Sequence, residues 1–221
     1  MPVNKEAYKN LLAELSSKNV TLVAVSKTKS VEEIKELYDL GQRDFGENYV
    51  QELVEKQNQL PKDIRWHFIG HLQTNKVKLI IPFVQLIQSV DSLKLLKEIN
   101  KQAEKARRVV DCLLEVHIAQ EETKFGFDEK ELHELLDTNS FELHELKSVR
   151  VIGLMGMASL TDDINKVGVE FKKLKTIFNQ LLTPDSQLQT LSMGMTSDYK
   201  IAIKEGSSMV RIGSMIFGER N

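Results

Sequence analysis

The chain has 221 residues, 41% hydrophobic and 28% charged, with 30 basic against 32 acidic side chains and a net charge of −2. That composition supports one substantial core and excludes a disordered chain, and with Lys105-Ala106-Arg107-Arg108 as the sole compact basic cluster it argues against nucleic acid as a main partner. The single cysteine, Cys112, has no partner for an internal disulfide and reads as a small core hydrophobe among Val110, Leu113 and Leu114, which fits a reducing compartment.

In chain order, residues 4–17 come first as an amphipathic segment carrying Lys5, Glu6, Lys9 and Glu14, without the continuous apolar stretch of an export signal. Apolar strand-like runs recur at 22–26, 43–46, 66–70, 86–90, 112–118, 150–155, 191–193 and 209–212. Helical patterns fall between them at 31–40, 49–59, 74–80, 92–107, 129–136, 163–182 and 198–205. Ser30 with Glu33 reads as a capping box, and Gly41 as the matching stop. Eight strands alternating with helices predict an α/β fold, a closed parallel (β/α)8 barrel of the TIM type, in a single domain over 1–221. The leading segment is then an extra N-terminal helix that covers one end of the barrel or packs beside the last helix. The apolar stretches 79–84 and 151–160 are far shorter than the roughly 20 residues that span a bilayer. A soluble, cytoplasmic protein with no membrane partner is expected, and a helix-covered barrel is compatible with a monomer or a homodimer.

Barrels of this kind carry their chemistry at the C-terminal ends of the strands. Lys27 stands at such an end, after Leu22-Val23-Ala24-Val25-Ser26. Low-dielectric walls and the neighbouring Lys29 would favour its neutral, nucleophilic form, able to form a Schiff base, although a snorkelling strand-end lysine satisfies the same pattern. In the last strand, alternation sends Val210 and Ile212 toward the helices and Arg211 and Gly213 into the barrel. A guanidinium there needs acceptors, either an internal salt bridge to Glu47 or Glu115 or a ligand. Gly213 and Ser214 at that tip, with Met193-Gly194-Met195-Thr196 at the tip before it, offer amides and hydroxyls for an anion. Ser197 and Asp198 serve equally well as helix caps. Met195 can line a ring pocket, whereas Met155, Met157 and Met193 read as barrel filler. His67 and His71 bracket a strand end, so the helical i, i+4 spacing of a metal site fails; His133 and His144 read as surface residues, and no metal is expected. The glycines form neither a phosphate loop nor a dinucleotide fingerprint.

Several blocks, in order, resemble the pyridoxal phosphate homeostasis protein family, whose barrel is similar to the N-terminal domain of bacterial alanine racemases. They are Val23-Ala24-Val25-Ser26-Lys27-Thr28-Lys29, Phe45-Gly46-Glu47-Asn48, Trp66 through Gln73, Lys124-Phe125-Gly126-Phe127, Leu191 through Met195 and Val210 through Gly218. The resemblance implies that Lys27 holds pyridoxal phosphate as an internal aldimine and that Thr196, Gly213 and Ser214 bind its phosphate. It places Arg211 against the pyridine nitrogen and Asn48 near the ring, where Asn48 could equally be an N-cap with Gln51 three residues on. The family more often has serine at the position of Thr196, and the hydroxyl is kept. Gly156-Met157-Ala158-Ser159 receives no role.

An arginine against the ring nitrogen leaves it unprotonated, a weak electron sink. None of Tyr8, Tyr38, Tyr49 and Tyr199 ends a predicted strand to face Lys27, and no residues are left over for a second domain. These features favour a non-enzymatic carrier that buffers the cofactor or delivers it to apoenzymes. The alternatives are a weak racemase, an aldolase-like enzyme in which Lys27 attacks a sugar phosphate, and a scaffold without a ligand.

Overall fold

The computed structural model describes residues 3–119, 126–136, 145–183 and 186–218. Eight parallel strands close into a barrel in sequence order, β1 pairing with both β2 and β8. The strands are β1 Thr21–Val25, β2 Asp44–Glu47, β3 Arg65–Phe68, β4 Leu86–Val90, β5 Val110–Val116, β6 Val149–Gly156, β7 Thr190–Ser192 and β8 Met209–Ile212. All eight predicted strands are present, most displaced at their ends by one or two residues. Register shifts interrupt the β4–β5 and β5–β6 ladders, a feature the periodicity did not show.

The helices among the described residues are α1 Lys5–Ser16, α2 Val31–Asp39, α3 Val50–Gln59, α4 Val77–Ile80, α5 Leu93–Lys105, α6 Glu129–Leu136, α7 Ile164–Gln180, α8 Tyr199–Lys204 and α9 Ser214–Phe217. The capping box at the start of α2 is formed: Ser30 Oγ accepts from the Glu33 amide and Glu33 accepts from the Ser30 amide. Gly41 follows that helix at φ +105°, the left-handed geometry of a helix stop. The helix expected over 74–80 divides into a 3-10 turn, Thr74–Lys76, and the single turn of α4. Of the two positions open to the leading helix, α1 takes the one beside the last helices. The Asn4 amide donates to Ile216 O at 2.8 Å and Tyr199 donates its hydroxyl to Glu14 at 3.2 Å.

Two hydrophobic layers hold the fold. The larger lies between strands and helices, where Ala24, Phe45, Trp66, Phe68, Val210 and Ile212 are fully or almost fully buried. Each large apolar side chain buried there contributes about 1.5–3 kcal/mol. The smaller fills the barrel interior with Val23, Leu86, Leu113, Ile152, Met155 and Met209. Met193 belongs to the outer layer and not to the barrel filling. Near the N-terminal ends of the strands, Arg65 pairs with Asp44 and Arg150 with Asp111. No helix among the described residues is long and apolar enough to cross a membrane.

Burial raises the Asp44 carboxyl, but hydrogen bonds from Arg65 and His67 outweigh it and bring the pKa down to about 2. The folded value lies below the unfolded one, so Asp44 contributes stability fully present above about pH 4 and lost as the pH falls through about 2. The contribution is about 2 kcal/mol. Urea unfolding of Asp44→Asn should therefore show a stability loss at pH 6 that shrinks toward pH 2, relative to the unsubstituted protein.

Candidate functional site

A cavity of about 390 Å³ opens at the C-terminal ends of the strands, and all seven residues singled out from the sequence line it: Lys27, Asn48, Met195, Thr196, Arg211, Gly213 and Ser214. The strand ends bring them together. Lys27 follows β1, Asn48 follows β2, Met195 and Thr196 follow β7, and Arg211, Gly213 and Ser214 run from β8 into α9. Val25, Ile69 and Met157 supply apolar walls. Lys124, Phe125 and His144 lie outside the described residues. His133 is exposed on α6. His71 pairs with Asp91 at 3.1 Å and lines a neighbouring hollow instead of this cavity.

Arg211 forms the floor. It is 4% exposed, and neither Glu47 nor Glu115 is its hydrogen-bond partner. Nη1 donates to Ser192 O at 3.0 Å and Ser192 Oγ at 2.6 Å, while Nη2 donates to Gly156 O at 3.1 Å. Two backbone carbonyls and the Ser192 hydroxyl thus stand where a salt bridge was expected, and Glu47 alternates to the outer face of β2 and pairs with Lys56 of α3. Burial lowers the Arg211 pKa to about 10, against the pull of Glu115 and Asp198, so the side chain stays protonated at neutral pH. Burial, then Asp91, pushes the Glu115 carboxyl up to about 7 despite Arg211.

From Arg211 a hydrogen-bonded chain crosses the barrel interior in one direction. Ser192 Oγ donates to Gln88 Oε1 at 2.7 Å, Gln88 Nε2 donates to His67 Nδ1 at 2.9 Å, and His67 Nε2 donates to Asp44 at 3.1 Å. Every buried polar group on this path therefore has a partner, as the low-dielectric interior demands.

Asn48 differs. Its Oδ1 is buried without a hydrogen-bond partner, and the N-cap of α3 is Tyr49, which makes no side-chain cap bond. The capping role is thereby corrected: Asn48 lines the cavity, and its buried acceptor is satisfied by none of the described residues. Gly70, after β3, passes so close to the Asn48 backbone that any side chain would collide with it. On the opposite side, the Gly213 amide donates to Thr196 Oγ1 at 3.4 Å, tying the two tips together. Asp198 accepts from the Met195 amide at 2.5 Å and so fixes the first tip instead of capping α8.

Behind Lys27, the backbone of Thr28 sits at φ +65°, an unusual conformation for a β-branched residue that costs of order 1–3 kcal/mol. Its amide donates to Glu52 at 2.5 Å. Lys29 lines the cavity with its ammonium donating to Phe217 O at 2.9 Å.

Sequence reasoning missed Ser192 and Gly156, the acceptors of Arg211, and it read Met157 as barrel filler and not as a wall of the cavity. Ser192 carried a readable signal, a polar residue two before Gly194 in an apolar strand. Gly156 acts only through its carbonyl, which no side-chain pattern reveals. Met157 packs against the interior apolar cluster, and two residues on, the Ser159 amide and hydroxyl both donate to the buried Glu170 of α7 at 2.7 Å.

The family profile described as alanine racemase, N-terminal domain, matches residues 5–221. A pyridoxal phosphate homeostasis protein of Pasteurella multocida (strain Pm70) is 41% identical over 209 residues, covering 91% of this chain and 87% of the relative. One of the same name from Aquifex aeolicus (strain VF5) is 42% identical over 201 residues, covering 90% and 86%. PipY of Synechococcus elongatus PCC7942 has been solved with PLP bound; it superposes with a TM-score of 0.84 at 35% identity, covering 95% of this chain and 99% of that one. An alanine racemase of Clostridium difficile 630 shares the fold, with a TM-score of 0.75 at 15% identity over 100% of this chain and 59% of that one. A profile match over nearly the whole chain, with relatives near 40% identity, shows that the chain belongs to the alanine racemase N-terminal domain family, among the pyridoxal phosphate homeostasis proteins.

Proposed function

We propose that this protein binds pyridoxal phosphate reversibly in the mouth cavity through a Schiff base to Lys27, and buffers or delivers the cofactor without efficient catalysis. The observation that carries the reading is the convergence of Lys27, Arg211 and the two tips Met195-Thr196 and Gly213-Ser214 on one cavity. The PLP-bound relative and the names of the related proteins support it.

The residues present fit the cofactor. The orphaned Asn48 Oδ1 offers an acceptor to a polar hydrogen on the ring. The hydroxyls of Thr196 and Ser214, with the amides that open α9, offer donors to a phosphate. Val25, Ile69, Met157 and Met195 form walls suited to a flat ring.

When bound, pyridoxal phosphate supplies an aldehyde that an amine captures reversibly and a pyridine ring that draws electrons. Lys27 supplies that amine. Arg211 can only donate, so it would keep the ring nitrogen unprotonated and hold the ring in a state poor at stabilising a carbanion. No tyrosine serves as a proton-transfer partner opposite Lys27, because none of the four lines the cavity. Tyr8 donates to Gln42, Tyr38 to Asp63 and Tyr199 to Glu14, and Tyr49 is exposed. Recipients, in this reading, are apoenzymes that require the cofactor.

An absorption spectrum before and after borohydride, with peptide mapping, tests the proposal: a visible band should be lost on reduction and a stable adduct found on Lys27. Turnover of amino acids at about 1–1,000 per second would overturn the carrier role.

A further inference from the structure

Both residues that flank Lys27 are tied to the same ion-pair cluster on the outer face of the barrel wall. Ser26 Oγ donates to Glu47 Oε1 at 2.6 Å, and Ser26 O accepts from Lys56 Nζ at 2.7 Å. The Thr28 amide donates to Glu52 Oε1. Lys56 bridges the two carboxylates, donating to Glu47 at 2.8 Å and Glu52 at 2.6 Å. Its ammonium has three hydrogens and three acceptors, so its donor capacity is spent within the cluster. Glu47 and Lys56 are both buried, and Glu52 stands one helical turn before Lys56 on α3.

The local chain supplies one bond of its own, the Lys29 amide donating to Ser26 O at 3.0 Å across the turn, and that turn carries a β-branched residue at a conformation it resists. Thr28 lies in the left-handed region, and strained backbone persists only where its surroundings over-determine it. Here the surroundings are the Glu52 carboxylate on one side of Lys27 and the Glu47–Lys56 pair on the other. We propose that Glu52 and Lys56 are positioning residues for Lys27, fixing its backbone so that the amine enters the cavity where an aldehyde carbon can reach it. The proposal rests on Lys27 as the point of attachment. The bond at issue forms when the neutral Nζ adds to the aldehyde carbon; both nitrogen hydrogens leave with the carbonyl oxygen as water, and no electrons are gained or lost.

Two ligands separate positioning from mere structure: pyridoxal phosphate, and pyridoxine phosphate, which has an alcohol in place of the aldehyde and cannot condense. Glu52→Ala and Glu52→Met, the second filling the same space, should weaken the aldehyde by about tenfold, equivalent to about 1.4 kcal/mol, and the alcohol by less than about twofold. Borohydride trapping on the Lys27 peptide should slow in parallel. Glu52→Gln keeps an acceptor for the Thr28 amide and should stay within about threefold of the unsubstituted protein for both ligands. Equal weakening of the two ligands, or no weakening of either, overturns the positioning role. If the unsubstituted protein binds both ligands alike and yields no Lys27 adduct, the attachment itself is wrong, and the two failures are distinguishable.

Discussion

Lys27→Ala is expected to weaken pyridoxal phosphate binding by about 100-fold or more, about 2.7 kcal/mol, while leaving the affinity for pyridoxine phosphate nearly unchanged. The substitution removes the amine, while Arg211 and the two tips keep their own contacts. Lys27 stands at the cavity mouth outside the hydrophobic layers, so the variant should still fold. Titration of the variant with both ligands, with thermal unfolding as the control, checks the result. A variant that holds the aldehyde as tightly as the unsubstituted protein would show that the cavity retains the cofactor without a covalent bond.

Gly70→Ala should be a strongly damaging single-methyl change at the site. A Cβ built there lies 2.3 Å from Asn48 O and 2.7 Å from Asn48 Cα, both backbone atoms that cannot step aside as a side chain would. Overpacking of this kind sits at the upper end of its usual cost, about 3 kcal/mol, which lowers Tm by about 6–12 °C in a chain of this size. The displaced residue is Asn48, which lines the cavity, so ligand affinity should fall with stability. Gly41→Ala makes a suitable control. It has the left-handed φ of +105° but nothing within 4 Å of the new Cβ, so it should cost backbone strain alone and leave binding intact. Thermal unfolding and ligand titration of the two variants together separate the effects.

The eight strands were legible because a parallel barrel buries both faces of each strand and writes them as short apolar runs between helices. The strand ends were legible for the same reason: Lys27 and Arg211 stand out as charges against those runs. What escaped depends on contacts across elements. Glu47 looked like a partner for Arg211, since alternation was applied to β8 and not to β2, where it turns Glu47 outward to Lys56. The i, i+4 spacing of Glu52 and Lys56 on α3 was readable as a surface pair, but their grip on Ser26 and Thr28 arises only when α3 packs over the end of β1. The split of 74–80 and the two register shifts carry no side-chain signature.

The interior chain from Arg211 to Asp44 confines the His67 imidazole to a single tautomer. Its Nδ1 lone pair is committed to an amide hydrogen and its Nε2 hydrogen to a carboxylate held ionised. Inverting the Gln88 amide would set its oxygen against the Nδ1 lone pair and present nitrogen instead of oxygen to Ser192. The serine hydroxyl would then lose its outlet directly beside the guanidinium. Opposite ends of the barrel thus share one sense of polarity, and reversing it anywhere along the path must be felt at the floor of the cavity.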